Sequence, residues 1–119
     1  MITKGIRGAV TVESNTSQAI EEATIELLNR IVQHNEVEER LISHIIFTVT
    51  DDLNADFPAK FARNTLGWDH LAMMCFNELN VPNSLRMCLR VLLVYNCEED
   101  FCPKHVYLKG AKVLRLDLG

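Results

Sequence analysis

The sequence predicts an α+β-like member of the α/β class, in which one long helix and shorter helices cover mainly one face of a mixed five-stranded sheet. Five segments are rich in β-branched or apolar residues, and another repeats apolar residues at helical spacing. Short connections join these segments, without internal repeats or glycine-rich linkers. Because 48% of the 119 residues are hydrophobic, residues 1–119 are expected to form a single domain around one core.

The first half of the chain is predicted to form two strands with the long helix between them. Residues 5–12 and residues 42–50 are rich in β-branched residues and predict strands. Apolar residues recur at three- and four-residue spacing over residues 16–34, which predicts an amphipathic helix. Residues 36–40 are expected to form a short helical connection. The candidate N-caps of the long helix are Ser14, Asn15 and Thr16.

The second half is predicted to contain one short helix and three strands. Pro58 suits the first position of this helix, and Gly67 is expected to close it. The strands are expected over residues 71–75, over residues 86–95, and over residues 104–109 continued by residues 111–114 after a kink at Gly110. Residues 114–119 are expected to form a short tail.

Arg90 lies in the middle of an apolar segment, residues 87–94. A guanidinium keeps its charge in a protein, and its desolvation without a partner costs several kcal/mol. Because strand side chains alternate between faces, Arg86 and Cys88 are predicted to share the face of Arg90, while apolar residues fill the other face. The strand therefore needs an anion at Arg90, either a bound ligand or a carboxylate of the same fold.

Other polar residues join this arginine in a candidate anion site. Arg7 lies within the first predicted strand, Tyr107 lies in the last one, and Glu78 follows the third. Lys60 and Arg63 share a face of the short helix. Together, the cations, the carboxylate and the phenol indicate a receptor for a polyanionic small molecule that carries a hydroxyl group. The alternatives are an ion pair between an arginine and Glu78, and helix cations that are only solvated.

Composition and motifs do not support several other classes of function. The net charge is −4, and no basic run indicates a nucleic-acid surface. No apolar run reaches the roughly 20 residues of a membrane span, and the N-terminus lacks a signal-peptide segment, so a soluble cytoplasmic protein is expected. No motif for covalent or nucleotide-cofactor chemistry is present, so no cofactor is expected.

The four cysteines are expected to be free thiols. Cys75 and Cys88 lie in apolar strand segments, and Cys97 and Cys102 flank an acidic loop, without the dense spacing of a disulfide-rich secreted domain. Cys97, Cys102 and His105 lack further ligands at the spacing of a zinc site. No metal site is therefore expected.

The chain has more large apolar side chains than one sheet and one long helix can bury. The large apolar residues left over include Phe47, Phe57, Phe61, Trp68, Met73 and Met74. Burial between subunits is expected for this surface, because obligate interfaces resemble a protein core cut in half. An oligomer with clefts between its subunits follows.

Five blocks run in order nearly from end to end of the chain. They are Gly5-Ile6-Arg7-Gly8-Ala9 with Thr11-Val12-Glu13, Phe47-Thr48-Val49-Thr50-Asp51-Asp52-Leu53, Phe57-Pro58-Ala59-Lys60, Cys88-Leu89-Arg90-Val91, and His105-Val106-Tyr107-Leu108 before Val113-Leu114-Arg115. Their order and spacing resemble the monofunctional chorismate mutases of the trimeric, mixed α/β-barrel type. The resemblance implies a pseudo-α/β-barrel assembled as a homotrimer, with active sites between adjacent subunits.

The resemblance also implies a reaction, the rearrangement of chorismate to prephenate on the shikimate route to Phe and Tyr, without cofactor or covalent intermediate. It implies that Arg90 donates to the ether oxygen of the substrate, while Arg7 and Tyr107 bind the enolpyruvyl carboxylate. Glu78 would accept from the ring hydroxyl, together with the backbone of Cys75. The implied cleft lining is Phe57, Ala59, Lys60, Arg63, Met73, Met74 and Leu114. Two rival functions stay open, a non-catalytic trimeric sensor of small carboxylates and a trimeric imine or enamine deaminase.

Overall fold

The computed structural model describes residues 1–117, with the side chains of residues 1–115, and five strands in this range form one mixed sheet. The strands are β1 (Ile2–Thr11), β2 (Ile42–Val49), β3 (Ala72–Asn77), β4 (Cys88–Cys97) and β5 (Val106–Leu108). The α-helices are α1 (Ser17–Asn35), α2 (Pro58–Asn64) and α3 (Leu114–Asp117), with 3₁₀ turns at Glu39–Leu41 and Lys109–Val113. No helix in this range is long and apolar enough to cross a membrane.

The strands lie in the order β3-β2-β4-β1-β5. β4 runs antiparallel to both of its neighbours, β1 and β2, whereas β1 pairs with β5 and β2 pairs with β3 in parallel. This arrangement confirms the predicted mixed five-stranded sheet. In the observed register Arg90 lies opposite Ala9 on one side and opposite Thr48 on the other. The central strand therefore carries Arg90 between two small residues.

The core lies between α1 and the face of the sheet that this helix covers. Its fully buried members include Leu27, Leu28 and Ile31 of α1, and Leu89 and Leu93 of β4. The helix and the sheet approach closely at Gly8, where an added Cβ would lie 2.8 Å from Ile31 Cδ1. Beyond the buried Cys88, the β4 residues that point away from α1 are only half buried, namely Arg90, Leu92, Val94 and Asn96. One chain therefore leaves the second face of the sheet open.

Local sequence signals fix both ends of α1 close to the predicted positions. Thr16 is the N-cap, and its hydroxyl accepts a hydrogen bond from the Ala19 N–H at 3.1 Å. Glu36 ends the helix in the left-handed conformation, with a φ of 50°, and donates its N–H to the Val32 carbonyl. Because of this turn, the short helical connection forms at Glu39–Leu41 rather than over the predicted residues 36–40.

The helix α2 begins at Pro58 as predicted but ends earlier than expected. Its last residue is Asn64, and Thr65 caps it with an N–H that donates to the Phe61 carbonyl at 2.8 Å. Gly67 does take a positive φ of 75°, but in the turn after the helix rather than at its closing position. The exit from α2 is therefore a tight turn toward β3.

The predicted fourth strand, residues 86–95, is shifted by two residues because Asp52 holds its approach. Met87 has a φ of 49°, and its N–H donates to both carboxylate oxygens of Asp52 at 3.1 Å. The ladder consequently starts at Cys88, so that Arg86 lies outside β4 and does not share its face with Arg90. The third strand also differs, since it extends over Ala72–Asn77 instead of residues 71–75.

The C-terminal part of the predicted fifth strand is wrong. Lys109–Val113 forms a 3₁₀ turn, and its first residue has a positive φ of 52°. The Gly110 N–H donates to the Thr11 hydroxyl at 2.9 Å, which folds the chain back over β1. Leu114–Asp117 then forms a helical turn where part of a tail was expected, and residues 118–119 lie outside the described residues.

Candidate active site

A cavity of about 370 Å³ opens on the sheet face that α1 leaves uncovered. Residues of β1, β2 and β4 form its floor, and β5 with the C-terminal turn forms a wall. The predicted site residues that line it are Arg7, Glu78, Arg90, Tyr107 and Leu114. Its volume lies in the range of about 300–1,000 Å³ that is common for small-molecule sites. The fold therefore brings together charged residues that lie far apart in the sequence.

Arg90 and Glu78 face each other in this cavity without closing into a hydrogen-bonded pair. Arg90 Nε lies 3.5 Å from Glu78 Oε2, which is within the range of an ion pair. The Nε atom is nevertheless buried and has no hydrogen-bond partner among the described residues. The internal ion pair that the sequence left open as an alternative therefore exists, but it does not satisfy the arginine. A buried N–H without an acceptor is costly, and the charge of Arg90 at the cavity favours an anion there.

Two hydrogen bonds hold the Glu78 carboxylate in place. The Thr48 hydroxyl donates to Oε2 at 2.8 Å, and the Leu79 N–H donates to Oε1 at 3.2 Å. The backbone of Glu78 is also fixed, because its N–H donates to the Val49 carbonyl at 2.8 Å. This carboxylate therefore has a defined position, although it follows β3 rather than lying within it.

Arg7 and Tyr107 enter the cavity from neighbouring strands at one edge of the sheet. Tyr107 lies opposite Ala9 in the β1–β5 pair, and its half-buried ring packs against a small cluster that contains Ala9 and Cys88. The Arg7 side chain is exposed, and its backbone N–H donates to His105 Nδ1 at 2.9 Å. The neutral imidazole of His105 therefore replaces a ladder carbonyl beside the strand that carries Arg7.

His105 gives a testable dependence of stability on pH. Burial, together with the charge of Arg7, lowers the pKa of His105 below its ordinary value of 6.5. The folded protein then binds fewer protons at this ring than the unfolded chain, so the stabilisation is present above pH 6.5 and is lost as pH falls through the folded-state pKa. Urea unfolding measured from above pH 6.5 down to acidic pH should show that the free energy of unfolding of the native protein falls relative to that of His105→Gln. A pH-independent difference would contradict this assignment.

The other predicted lining residues do not reach this cavity within one chain. Phe57 and Cys75 line a second cavity of about 450 Å³, beside the entry to α2. Ala59 is buried, Arg63 is exposed on α2, and the β3 residues Met73 and Met74 are half-buried and exposed, respectively. The structure thus divides the predicted site into an arginine group at the first cavity and an α2–β3 group at another surface.

Lys60 belongs to the α2–β3 group, but it already has a carboxylate partner. Its Nζ lies 3.0 Å from Asp56 Oδ2 and 5.5 Å from the ring centre of Phe61. Hydrogen bonds from Ser17 and Lys60, and then from the Phe57 N–H, lower the pKa of Asp56 to about 2. The aspartate therefore stays ionised near neutral pH and restrains Lys60 at the start of α2.

Comparison with known proteins identifies the family of this chain. The family model described as chorismate mutase type I matches residues 3–118. The chain belongs to the type I chorismate mutase family. It is 37% identical to chorismate mutase AroH of Bacillus subtilis (strain 168) over 121 residues, covering 100% of this chain and 94% of that protein. Chorismate mutase AroH of Thermus thermophilus is 41% identical over 119 residues, covering 98% and 97% respectively.

A solved chorismate mutase has the same fold. The protein from Clostridium thermocellum Cth-682 superposes with a TM-score of 0.87 at 50% sequence identity, covering 92% of this chain and 98% of its own. The resemblance inferred from the five sequence blocks is therefore confirmed at the level of family and fold.

Two cysteines of this chorismate mutase chain, Cys75 in the second cavity and Cys88 in the cluster that contacts Tyr107, have raised thiol pKa values. Burial raises the pKa of the Cys75 thiol, against smaller opposing effects of the Ala59 backbone and Arg63. Burial also raises the pKa of Cys88, although Arg90 lies nearby. A thiolate is the reactive form of cysteine, so neither residue is prepared as a nucleophile. Among the described residues, no group of three or more His, Cys, Asp or Glu side chains could hold a metal ion.

The sequence does not indicate a functional role for two residues that shape this region of the chorismate mutase chain, Thr48 and Asp52. Thr48 lines the cavity and binds Glu78, and Asp52 fixes the approach to β4 through the Met87 N–H. Asp52 also accepts a hydrogen bond from the Thr50 hydroxyl, and Thr50 in turn accepts the Cys88 N–H at 3.0 Å. In the sequence, both residues stand out only because they lie in the family-like block over residues 47–53. Their roles depend on the pairing of β2 with β4, which the sequence did not supply.

Proposed function

We propose that this protein catalyses the rearrangement of chorismate to prephenate, without cofactor or covalent intermediate, in clefts between the subunits of a homotrimer. The single observation that carries the proposal is that Arg90 lines a cavity of the right size while its buried Nε has no hydrogen-bond partner among the described residues. Membership of the type I chorismate mutase family supports chorismate as the anion that binds in this cavity. We place the reaction in the cytoplasm, on the route to Phe and Tyr.

The reaction needs no nucleophile, because it is unimolecular. The ether C–O bond breaks while a C–C bond forms between two parts of the same molecule, and no proton or electron is exchanged with the protein. Catalysis then consists of holding the flexible dianion in its compact chair-like conformation and of stabilising the negative charge that develops on the ether oxygen. Both tasks require fixed cations rather than reactive groups.

The arginine group supplies these cations. Arg90 donates to the ether oxygen and to a substrate carboxylate, because it lines the cavity and its Nε forms no hydrogen bond with the described residues, Glu78 included. Arg7 and Tyr107 bind the enolpyruvyl carboxylate from the edge of the sheet. Glu78 accepts a hydrogen bond from the ring hydroxyl. Because β1, β4 and their neighbours are rigidly paired, these groups need little reorganisation when charge develops.

The proposed trimer would bring the α2–β3 group to the cavity of an adjacent subunit. In one chain this group lies on a separate surface, and the sheet face around Arg90 is open. Large apolar residues are also exposed on and after β3, where Met74 is 60%, Leu79 is 77% and Val81 is 50% exposed. Monomeric proteins rarely expose contiguous apolar surface of this kind, and an interface between subunits would cover it. The backbone of Cys75 would then lie close enough to bind the ring hydroxyl.

The reaction is tested by adding the purified protein to chorismate and following the loss of its ultraviolet absorbance. Saturable loss, well above the rate without protein, is expected. The absence of any acceleration would contradict the proposed activity.

Co-expression of two inactive variants tests whether each active site is formed by two subunits or by one. Arg90→Gln removes the cation, and Phe57→Asp places a negative charge on the α2–β3 group at an exposed position where the fold tolerates it. If each site combines Arg90 of one subunit with Phe57 of the next, random co-assembly of the two variants leaves about one quarter of the sites intact. Co-expression should therefore restore about a quarter of native activity. Activity no greater than that of the separate variants would place both residues in the same subunit's site.

A further inference from the structure

Thr48 occupies a place in the cavity that none of the predicted roles uses. It lies on β2 directly opposite Arg90 of β4, and its side chain lines the cavity. Its hydroxyl donates to Glu78 Oε2 at 2.8 Å, the same oxygen that faces Arg90 Nε at 3.5 Å. Thr48 is therefore the neighbour that decides how closely this carboxylate approaches the arginine.

An arginine and a carboxylate on one cavity wall create a problem for substrate binding. A guanidinium and a carboxylate tend to close into a bidentate pair, which would use the N–H groups that a substrate anion needs. This closure has not occurred, since Nε has no hydrogen-bond partner among the described residues. Both Glu78 oxygens are instead occupied by other donors, the Thr48 hydroxyl and the Leu79 N–H.

We propose that Thr48 is a positioning residue that holds Glu78 away from Arg90 and thereby keeps the Arg90 guanidinium from closing into a hydrogen-bonded pair, so that it stays available for the substrate. This inference rests on the proposed function and extends it to a residue that touches Glu78 rather than the reacting atoms. Without the hydroxyl, Oε2 loses its donor and closes on the nearest one, Arg90. The substrate must then break an internal ion pair in order to bind, which raises KM more than it lowers kcat.

Two substitutions separate the hydroxyl from the shape of the side chain. Thr48→Val keeps the branched shape that suits a strand but removes the donor, and Thr48→Ser keeps the donor but removes the methyl group. In Thr48→Val we expect KM to rise about tenfold while kcat stays within about threefold, which corresponds to the loss of one hydrogen bond to a charged group. Thr48→Ser should stay close to the native protein. An unchanged KM in Thr48→Val, or an equal loss in Thr48→Ser, would overturn the proposal.

A double-mutant cycle with Glu78→Gln tests whether Thr48 acts through the carboxylate. An amide cannot form the competing ion pair, so Thr48→Val should have little further effect on KM in the Glu78→Gln background. The same tenfold rise in both backgrounds would show instead that Thr48 acts independently of Glu78. Urea unfolding of each variant checks that the sheet is intact. If the native protein converts chorismate and Thr48→Val has the same KM, the role of Thr48 is rejected but the proposed function is not. If the native protein does not convert chorismate, both the proposed function and the role of Thr48 are rejected.

Discussion

Arg90→Gln is expected to lower kcat/KM by at least about 100- to 1,000-fold, the usual effect of removing one well-placed oxyanion donor. The arginine lies on the floor of the cavity, and its Nε has no hydrogen-bond partner among the described residues. Its charge would act mainly on the transition state, because the ether oxygen becomes negative only as the bond breaks. The loss should therefore appear chiefly in kcat, while the lost contact to the substrate carboxylate should weaken the binding of chorismate to a smaller extent. Steady-state rates and equilibrium binding of chorismate provide the measurement.

Two further arginine variants make this result specific. Arg90→Lys keeps the charge but loses the planar, branched donor geometry, so it should recover only part of the rate. Arg40→Gln is the matched control, because Arg40 is an exposed arginine outside the cavity, with 73% of its side chain accessible. Near-native turnover in Arg90→Gln would refute the role of Arg90 at the ether oxygen.

Arg7→Ala is expected to act on binding instead, raising KM by about 10- to 100-fold, since one charged hydrogen bond to the substrate carboxylate is lost. That carboxylate keeps its charge throughout the reaction, so the substrate and the transition state should be weakened nearly equally. The effect on kcat should consequently be much smaller than for Arg90→Gln. Arg7→Lys keeps a cation at the same strand position and should recover part of the affinity.

The two arginine variants are expected to differ in which kinetic constant changes, kcat for Arg90→Gln and KM for Arg7→Ala. If Arg7→Ala reduced kcat as strongly as Arg90→Gln, the charge of Arg7 would act on the developing ether oxygen as well. The two residues would then have exchanged or shared roles. Urea unfolding should be measured for both variants to check that the sheet is intact, because Arg7 and Arg90 lie on β1 and β4, which pair along their whole length.

The parts of the fold that depend on local residue pattern were predictable from the sequence. Alternation along β4 predicted that Leu89, Val91 and Leu93 face the core while Arg90 faces the other side, and these three apolar residues are buried. The helical spacing of apolar residues located α1 to within a residue at each end. Residue type and a position on or just after a strand predict a common site for Arg90, Arg7, Glu78 and Tyr107, and the structure brings all four to one cavity.

The parts that depend on long-range pairing were not predictable. Thr48 became visible as a partner of Glu78 only when the β2–β4 register placed it opposite Arg90. The fifth strand was extended too far because a run of apolar residues does not reveal that Gly110 turns back to donate to Thr11. The separation of the α2–β3 group from the arginine group within one chain likewise depends on the strand order, which no local pattern encodes.

A single-turnover experiment tests the central claim most directly, that this cavity converts chorismate rather than only binding it. Protein is mixed in excess over chorismate, and the reaction is stopped with acid, which converts prephenate to phenylpyruvate for detection. Conversion of the bound chorismate to prephenate in the native protein, and its loss in Arg90→Gln, is the predicted result. Saturable binding of chorismate that returns unchanged after acid treatment would contradict the account and leave a carboxylate-binding module on a chorismate mutase fold.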